Sequence, residues 1–132
     1  QKKRILVDMS ATIIHNGHIR LLKKASKLGK VCVALTTDKQ VKKFKGYIPE
    51  LNYNQRKEVL ESIKYVYRVL PSNFHIRYNY LLKHKIDYLI HGNDYLSSDI
   101  PKSKLIIWKR TKGISSTIIR KRTINNSKKK NN

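Results

Sequence analysis

The sequence predicts a single α/β domain, in which helices cover a Rossmann-like, doubly wound parallel sheet of about five strands. Short apolar segments alternate along the chain with segments whose apolar residues recur at helical spacing. The apolar segments are nearly continuous, as in strands that are buried on both faces of a parallel sheet. A length of 132 residues fits one domain with one hydrophobic core.

The elements follow each other in a regular order. We expect, along the chain, a strand at 5–9, a helix at 18–28, a strand at 31–35, a helix at 54–66, a strand at 68–70, a helix at 78–85, strands at 88–91 and 105–108, and a helix at 115–122. Residues 39–51 are rich in Lys, contain Gly46 and Pro49, and predict a loop. The domain is expected to span 1–124, and the polar, basic residues 125–132 predict a disordered tail.

The segment His15-Asn16-Gly17-His18 carries the strongest functional signal. It follows the first predicted strand and opens the first helix, where free backbone N–H groups favour an anion. Gly17 allows close approach of a ligand, and the two imidazoles lie on one face of the first turn. This pattern suits a nucleoside triphosphate that is attacked at its α-phosphorus. The alternative is a polar loop in which Gly17 serves only the turn.

A second anion-binding pattern follows the last predicted strand. It reads Arg110-Thr111-Lys112-Gly113-Ile114-Ser115-Ser116-Thr117. Ser115 or Ser116 is a good helix N-cap, and Gly113 loosens the entry to the helix. The chain thus has two strand–loop–helix units with anion-binding chemistry at the helix start. An ordinary capped surface helix is the alternative for the second unit.

These segments together resemble the cytidylyltransferase branch of the H-x-G-H nucleotidyltransferases. The match runs in order from about Ile5 to about Arg120 and comprises His15–His18, Thr36-Thr37-Asp38, Tyr53-Asn54-Gln55-Arg56-Lys57, Gly92-Asn93-Asp94 and Arg110–Thr117. The resemblance implies that a phosphate or phosphonate monoester attacks CTP and that pyrophosphate leaves. It also implies that Mg²⁺ arrives with CTP rather than in a cage of protein ligands.

The resemblance assigns roles to individual residues. His15, His18 and Lys45 are expected to be catalytic, with both histidines stabilising the α-phosphate. Arg56 and Tyr95 are expected to bind the acceptor. The nucleotide is expected to contact both histidines and Ser10, Ala11, Lys43, Asp94, Arg110, Gly113, Ile114, Ser115, Ser116 and Thr117. Simpler roles remain open, namely solvated charges for the lysines, a turn for Asp94 and an ion pair with Glu58 or Glu61 for Arg56.

Three other positions bear on the site. The family carries an Asp where this chain has Thr12, so an orienting carboxylate is missing there. Arg120 lies further along the last helix and is expected to face solvent. His91 ends a predicted strand and points either into the site or into the core.

Composition narrows the classes of function. The net charge is +22, from 30 Lys and Arg against 8 Asp and Glu, which suits phosphorylated substrates and invites a nucleic-acid interpretation. Because the lysines are scattered, we expect only non-specific, salt-sensitive binding of nucleic acid. The sequence has no bilayer-length apolar run, G-x-G-x-x-G motif or zinc-ligand spacing, and we expect no secretory signal. Cys32 is the single cysteine, and a buried thiol in a reducing cytoplasm is expected.

Two other functions stay open at this point. One is an adenylyltransferase of the same superfamily, and the other is a catalytically degenerate domain that binds nucleotide or RNA. Thr12 and the high charge motivate the second alternative. The acceptor and a homodimer are also left open by the sequence.

Overall fold

The fold is known from a computed structural model that describes residues 2–92, 99–108 and 115–130. Its strands are β1 (Arg4–Met9), β2 (Lys30–Thr36), β3 (Val66–Ser72), β4 (Tyr88–His91) and β5 (Leu105–Ile107). They form one parallel sheet in the order β3-β2-β1-β4-β5. The predicted fold class is therefore confirmed.

Helices cover both faces of this sheet. They are α1 (Asn16–Ser26), α2 (Asp38–Lys45), α3 (Tyr53–Glu61), α4 (Tyr78–Lys83) and α5 (Ser116–Lys130), and a 3₁₀ turn spans Lys102–Lys104. Leu22 of α1 and Leu60 of α3 pack with Val7 on one face. Leu81 of α4 packs with Leu6 and Leu89 on the other. Helices on opposite faces are what a doubly wound sheet requires.

The predicted loop at 39–51 is wrong in its first half, because α2 occupies Asp38–Lys45. Val41 is fully buried and anchors the helix, while Asp38 in the first turn and lysines in the last turn suit the helix dipole. Gly46 ends it in the left-handed conformation, with φ 78°. Lysine-rich composition was therefore a poor sign of a loop here.

Two other predicted boundaries differ from the structure, each for its own physical reason. The second predicted helix was too long, because Val66 pairs with Val31 of β2 and begins β3. Pro71 lies within β3, which is tolerated since β3 is an edge strand. The expected disordered tail is helical as far as Lys130, as no Gly or Pro interrupts α5.

Two further expectations concern burial and membranes. Cys32 is a free, buried thiol on β2, as predicted, and burial raises its pKa. Among the helices of the described ranges, none is both long and apolar enough to cross a bilayer.

Candidate active site

The candidate site lies where the strand order of the sheet reverses. β2 and β3 lie on one side of β1, and β4 and β5 lie on the other. In open parallel sheets, ligands bind at the carboxyl ends of the strands that flank this reversal. The segment from Ser10 to His18 leaves the carboxyl end of β1 at this point and leads into α1.

The two histidines of this segment are locked together by a reciprocal capping box. His15 is the N-cap of α1, and its Nδ1 accepts a hydrogen bond of 3.0 Å from the Gly17 N–H. His18 Nδ1 accepts one of 3.1 Å from the His15 N–H. The ring centroids lie 4.0 Å apart. Because Nδ1 is an acceptor in both rings, the proton of each neutral imidazole resides on Nε2, which is then a hydrogen-bond donor.

Both rings are neutral at physiological pH. Burial lowers the pKa of His15. Burial, followed by the charges of His15 and Lys45, lowers the pKa of His18 to about 4. Because the charge of Lys45 acts on the pKa of His18, the predicted catalytic lysine lies in the neighbourhood of the histidines. A pair of neutral Nε2–H donors beside an ammonium group suits a phosphate whose negative charge increases during reaction.

The low pKa of His18 predicts acid sensitivity. An unfolded histidine titrates near its ordinary value of 6.5, whereas folded His18 titrates at about 4. Between these values the unfolded chain binds a proton that the folded chain does not, so the free energy of unfolding must fall as pH falls through this window. Protonated Nδ1 also cannot accept from His15. NMR titration of the His18 ring protons should give a midpoint near pH 4, and a midpoint near 6.5 would contradict this account. In the variant His18→Asn, the part of the fall in the free energy of unfolding that His18 causes should be absent.

The first turn of α5 is bonded to the loop that precedes the histidines. Ser115 Oγ caps the helix by accepting from the Ile118 N–H at 3.1 Å, as predicted. Ser116 Oγ donates to the Ile13 carbonyl at 2.8 Å and accepts from the Ile13 N–H at 3.2 Å. The structure therefore brings the starts of both predicted anion-binding helices together. It also corrects the expected role of Ser116, whose hydroxyl is engaged with backbone.

Arg56 does not occupy the acceptor-binding position that we expected. Its side chain is fully buried, and it donates to the carbonyls of Leu51 (3.1 Å), Ser10 (2.6 Å) and Thr36 (2.9 Å). It also forms an ion pair of 2.6 Å with Asp38, rather than with Glu58 or Glu61. Buried carbonyls beyond the ends of β1 and β2 need a donor, and Arg56 supplies it. We therefore replace the acceptor-binding prediction with a structural role.

The other predicted residues fall into three groups. Lys43 and Lys45 are exposed and lie on α2 rather than on a loop, and Thr117 is exposed on α5. Ser10 and Ala11 lie in the loop after β1, where Ala11 has a left-handed φ of 47°. The predictions for Asp94, Tyr95, Arg110, Gly113 and Ile114 lie outside the described residues.

One polar pair beside the reversal point was missed by sequence reasoning. Asp8 and His91 end neighbouring strands, and Asp8 Oδ1 lies 2.6 Å from His91 Nδ1. A carboxylate inside the apolar strand pattern of β1 was the signal that could have indicated it. Because the Asp8 carboxylate is an acceptor, Nδ1 of His91 donates in this pair, whereas Nδ1 of His15 and of His18 accepts.

Thr12 and Arg120 also differ from expectation. Arg120 is not simply solvent-facing, because it pairs with Glu50 at 2.6 Å and donates to Thr12 Oγ1 at 2.7 Å. Thr12 itself is 1% exposed. The position that carries Asp in the family is therefore a buried threonine that joins a partly exposed hydrogen-bond network in this chain. Within the described ranges, no three His, Cys, Asp or Glu side chains are grouped closely enough to hold a metal ion.

Comparison with known proteins shows the family of this chain. A family model described as cytidylyltransferase-like matches residues 10–122. Glycerol-3-phosphate cytidylyltransferase of Staphylococcus aureus is 38% identical over 125 residues, covering 89% of this chain and 92% of the relative. The protein of the same name from Bacillus subtilis is 34% identical, covering 89% of this chain and 95% of the relative.

Two further comparisons are more distant. Ethanolamine-phosphate cytidylyltransferase of Mus musculus is 31% identical over 69% of this chain, which corresponds to 23% of that relative. The crystal structure of a lipopolysaccharide core biosynthesis protein from Thermoplasma volcanium has a TM-score of 0.70 at 21% identity, and it covers 84% of this chain and 99% of that one. This structural likeness concerns the fold alone. From the family match and the relatives of similar length, the chain belongs to the cytidylyltransferase-like family.

Proposed function

We propose that this protein transfers CMP from CTP to a small phosphate monoester and releases pyrophosphate. The observation that carries the proposal is the reciprocal histidine pair at the start of α1, which presents two neutral Nε2–H donors beside Lys45. Relatives of nearly full length are named glycerol-3-phosphate cytidylyltransferase, which makes glycerol-3-phosphate the first acceptor to test.

The reaction needs positioning and charge neutralisation rather than a strong base. A phosphate oxygen of the acceptor is already anionic, so it attacks the α-phosphorus of CTP directly. One phosphorus–oxygen bond forms to the acceptor while the bond to the pyrophosphate oxygen breaks, and pyrophosphate leaves with that electron pair. His15 and His18 donate from Nε2 to α-phosphate oxygens as their charge grows. Each such donor is worth about 100-fold in rate or more.

The remaining groups support this arrangement. The ammonium of Lys45 offsets negative charge on the triphosphate near His18. The positive end of the α1 helix dipole, at the start of the helix, favours the same phosphates. Mg²⁺ would arrive with CTP rather than in a cage of protein ligands, and it would supply further charge neutralisation. A cytoplasmic location fits both this reaction and a reduced Cys32.

An acceptor panel tests the proposal. The purified protein is incubated with CTP, Mg²⁺ and glycerol-3-phosphate, phosphocholine, phosphoethanolamine or 2-aminoethylphosphonate, and pyrophosphate is measured. We expect fastest release with glycerol-3-phosphate, and at least 100-fold slower release when ATP replaces CTP. Preference for ATP would support the adenylyltransferase alternative, whereas CTP binding without release in any mixture would support a degenerate domain.

A further inference from the structure

Arg120 lies at the centre of a compact network outside the histidine pair. We call Thr12, Tyr47, Glu50 and Arg120 the Arg120 cluster. The Arg120 guanidinium binds both carboxylate oxygens of Glu50, at 2.6 and 2.7 Å. It also donates to Tyr47 Oη at 2.9 Å and to Thr12 Oγ1 at 2.7 Å. Four of the five guanidinium N–H groups therefore have acceptors.

The geometry of the cluster is specific rather than a loose surface ion pair. Both oxygens of Glu50 are bound in the side-by-side arrangement that favours Arg over Lys. The Arg120 guanidinium also stacks on Tyr47, with Cζ 4.3 Å from the ring centroid. Thr12 and Tyr47 hydroxyl oxygens lie 3.2 Å apart and complete the network. The hydrogen bond from Arg120 lowers the pKa of Glu50, so the carboxylate is charged at neutral pH.

The cluster joins three segments that carry the predicted phosphate-binding residues. Thr12 lies in the loop that leads to His15, and Tyr47 follows α2 shortly after Lys45. Arg120 is on α5, one turn beyond Ser116, so both side chains share a helix face. Ser116 holds the Ile13 backbone while Arg120 holds the Thr12 hydroxyl. One face of α5 therefore binds Thr12 and Ile13, which are consecutive residues of the loop between β1 and His15. We call this loop, residues 10–15, the histidine loop.

On this basis we propose that Arg120 is a positioning residue for CTP, which fixes the histidine loop, Lys45 and the start of α5 at the spacing that the triphosphate requires. The proposal rests on the proposed function but concerns nucleotide binding, which is measurable without turnover. Glu50 offsets the charge of Arg120, so the guanidinium orients these segments instead of binding phosphate itself. The Thr12 hydroxyl accepts a hydrogen bond from Arg120 without a charge, so the ion pair of Arg120 is formed with Glu50.

The test compares Arg120→Ala with Lys121→Ala, a matched loss of one charge at an exposed position of the same helix. We measure the dissociation constant for CTP by calorimetry, kcat and KM for CTP, and the unfolding temperature. Arg120→Ala should weaken CTP binding and raise KM at least 10-fold, with a smaller change in kcat. Lys121→Ala should change each value less than twofold. If Arg120→Ala lowers only the unfolding temperature and leaves CTP binding intact, the positioning role is wrong.

A second variant keeps the test decisive if Arg120→Ala does not fold. Thr12→Val keeps the shape of the buried side chain but removes its hydroxyl, so CTP binding should weaken about threefold or more. Unchanged CTP binding in Thr12→Val would overturn the proposal. Absence of CTP binding in the unaltered protein would instead contradict the proposed function.

Discussion

Replacing His18 with Ala is expected to lower the rate of pyrophosphate release by about 100-fold or more, since a donor to the α-phosphate is lost. The substitution also removes the Nδ1 that accepts from the His15 N–H. His18→Asn separates the two effects, because its side-chain oxygen can accept that bond but offers no donor at the Nε2 position. We therefore expect the same loss of rate in His18→Asn, with a fold that is closer to the unaltered protein by circular dichroism and thermal unfolding.

A matched control comes from the opposite end of the sheet, where the amino ends of the strands lie. His84 follows α4 and lies near the amino end of β1, where Arg4 binds its carbonyl. His84→Ala removes an imidazole at a distance from the candidate site and should leave the rate within about twofold. A near-normal rate in His18→Asn, or an equal loss in His84→Ala, would show that His18 has no special role in the reaction.

Replacing Arg56 with Met is expected to destabilise the fold by about 3 kcal/mol, because buried acceptors lose their donor. Three backbone carbonyls and Asp38 depend on this one side chain. Chemical denaturation measures the loss, and Arg20→Met, at an exposed position of α1, is the matched control for charge and size. The control should change the free energy of unfolding by less than about 0.5 kcal/mol.

Arg56→Lys distinguishes this structural role from acceptor binding. Lysine keeps the charge but cannot replace the bonds that three guanidinium nitrogens make, so stability should fall while KM for the acceptor stays within about threefold at a temperature where the variant is folded. Unchanged stability together with a large rise in KM for the acceptor would restore the role that the sequence first indicated.

The parts of the structure that the sequence predicts are those with local causes. Apolar strands and helical spacing predicted the sheet, and the position of His15 and His18 at a helix start followed from a strand-to-helix transition. The prediction that Ser115 or Ser116 is an N-cap is confirmed for Ser115 for the same reason. The pattern that predicts each strand, helix or helix start lies within a short stretch of consecutive residues.

The parts that sequence reasoning missed depend on long-range contacts. Arg56 reaches the Ser10 carbonyl 46 residues away, Asp8 meets His91 across 83 residues, and Arg120 meets Thr12 across 108. Which carbonyl needs a donor, or which hydroxyl an arginine reaches, depends on the packing of elements rather than on spacing. The helix α2 was missed for a different reason, because its lysine-rich composition outweighed the single buried anchor, Val41.

The transfer of the α-phosphorus of CTP to a phosphate monoester is the central claim, and phosphorus NMR follows it directly. With CTP, Mg²⁺ and glycerol-3-phosphate, the account predicts that the signals of CTP and the acceptor phosphate disappear together. Signals of a new diphosphate linkage and of pyrophosphate should appear in equal amounts, and His18→Asn should slow all of these changes alike. Formation of CDP and orthophosphate, or consumption of CTP while the acceptor signal stays unchanged, would contradict the account.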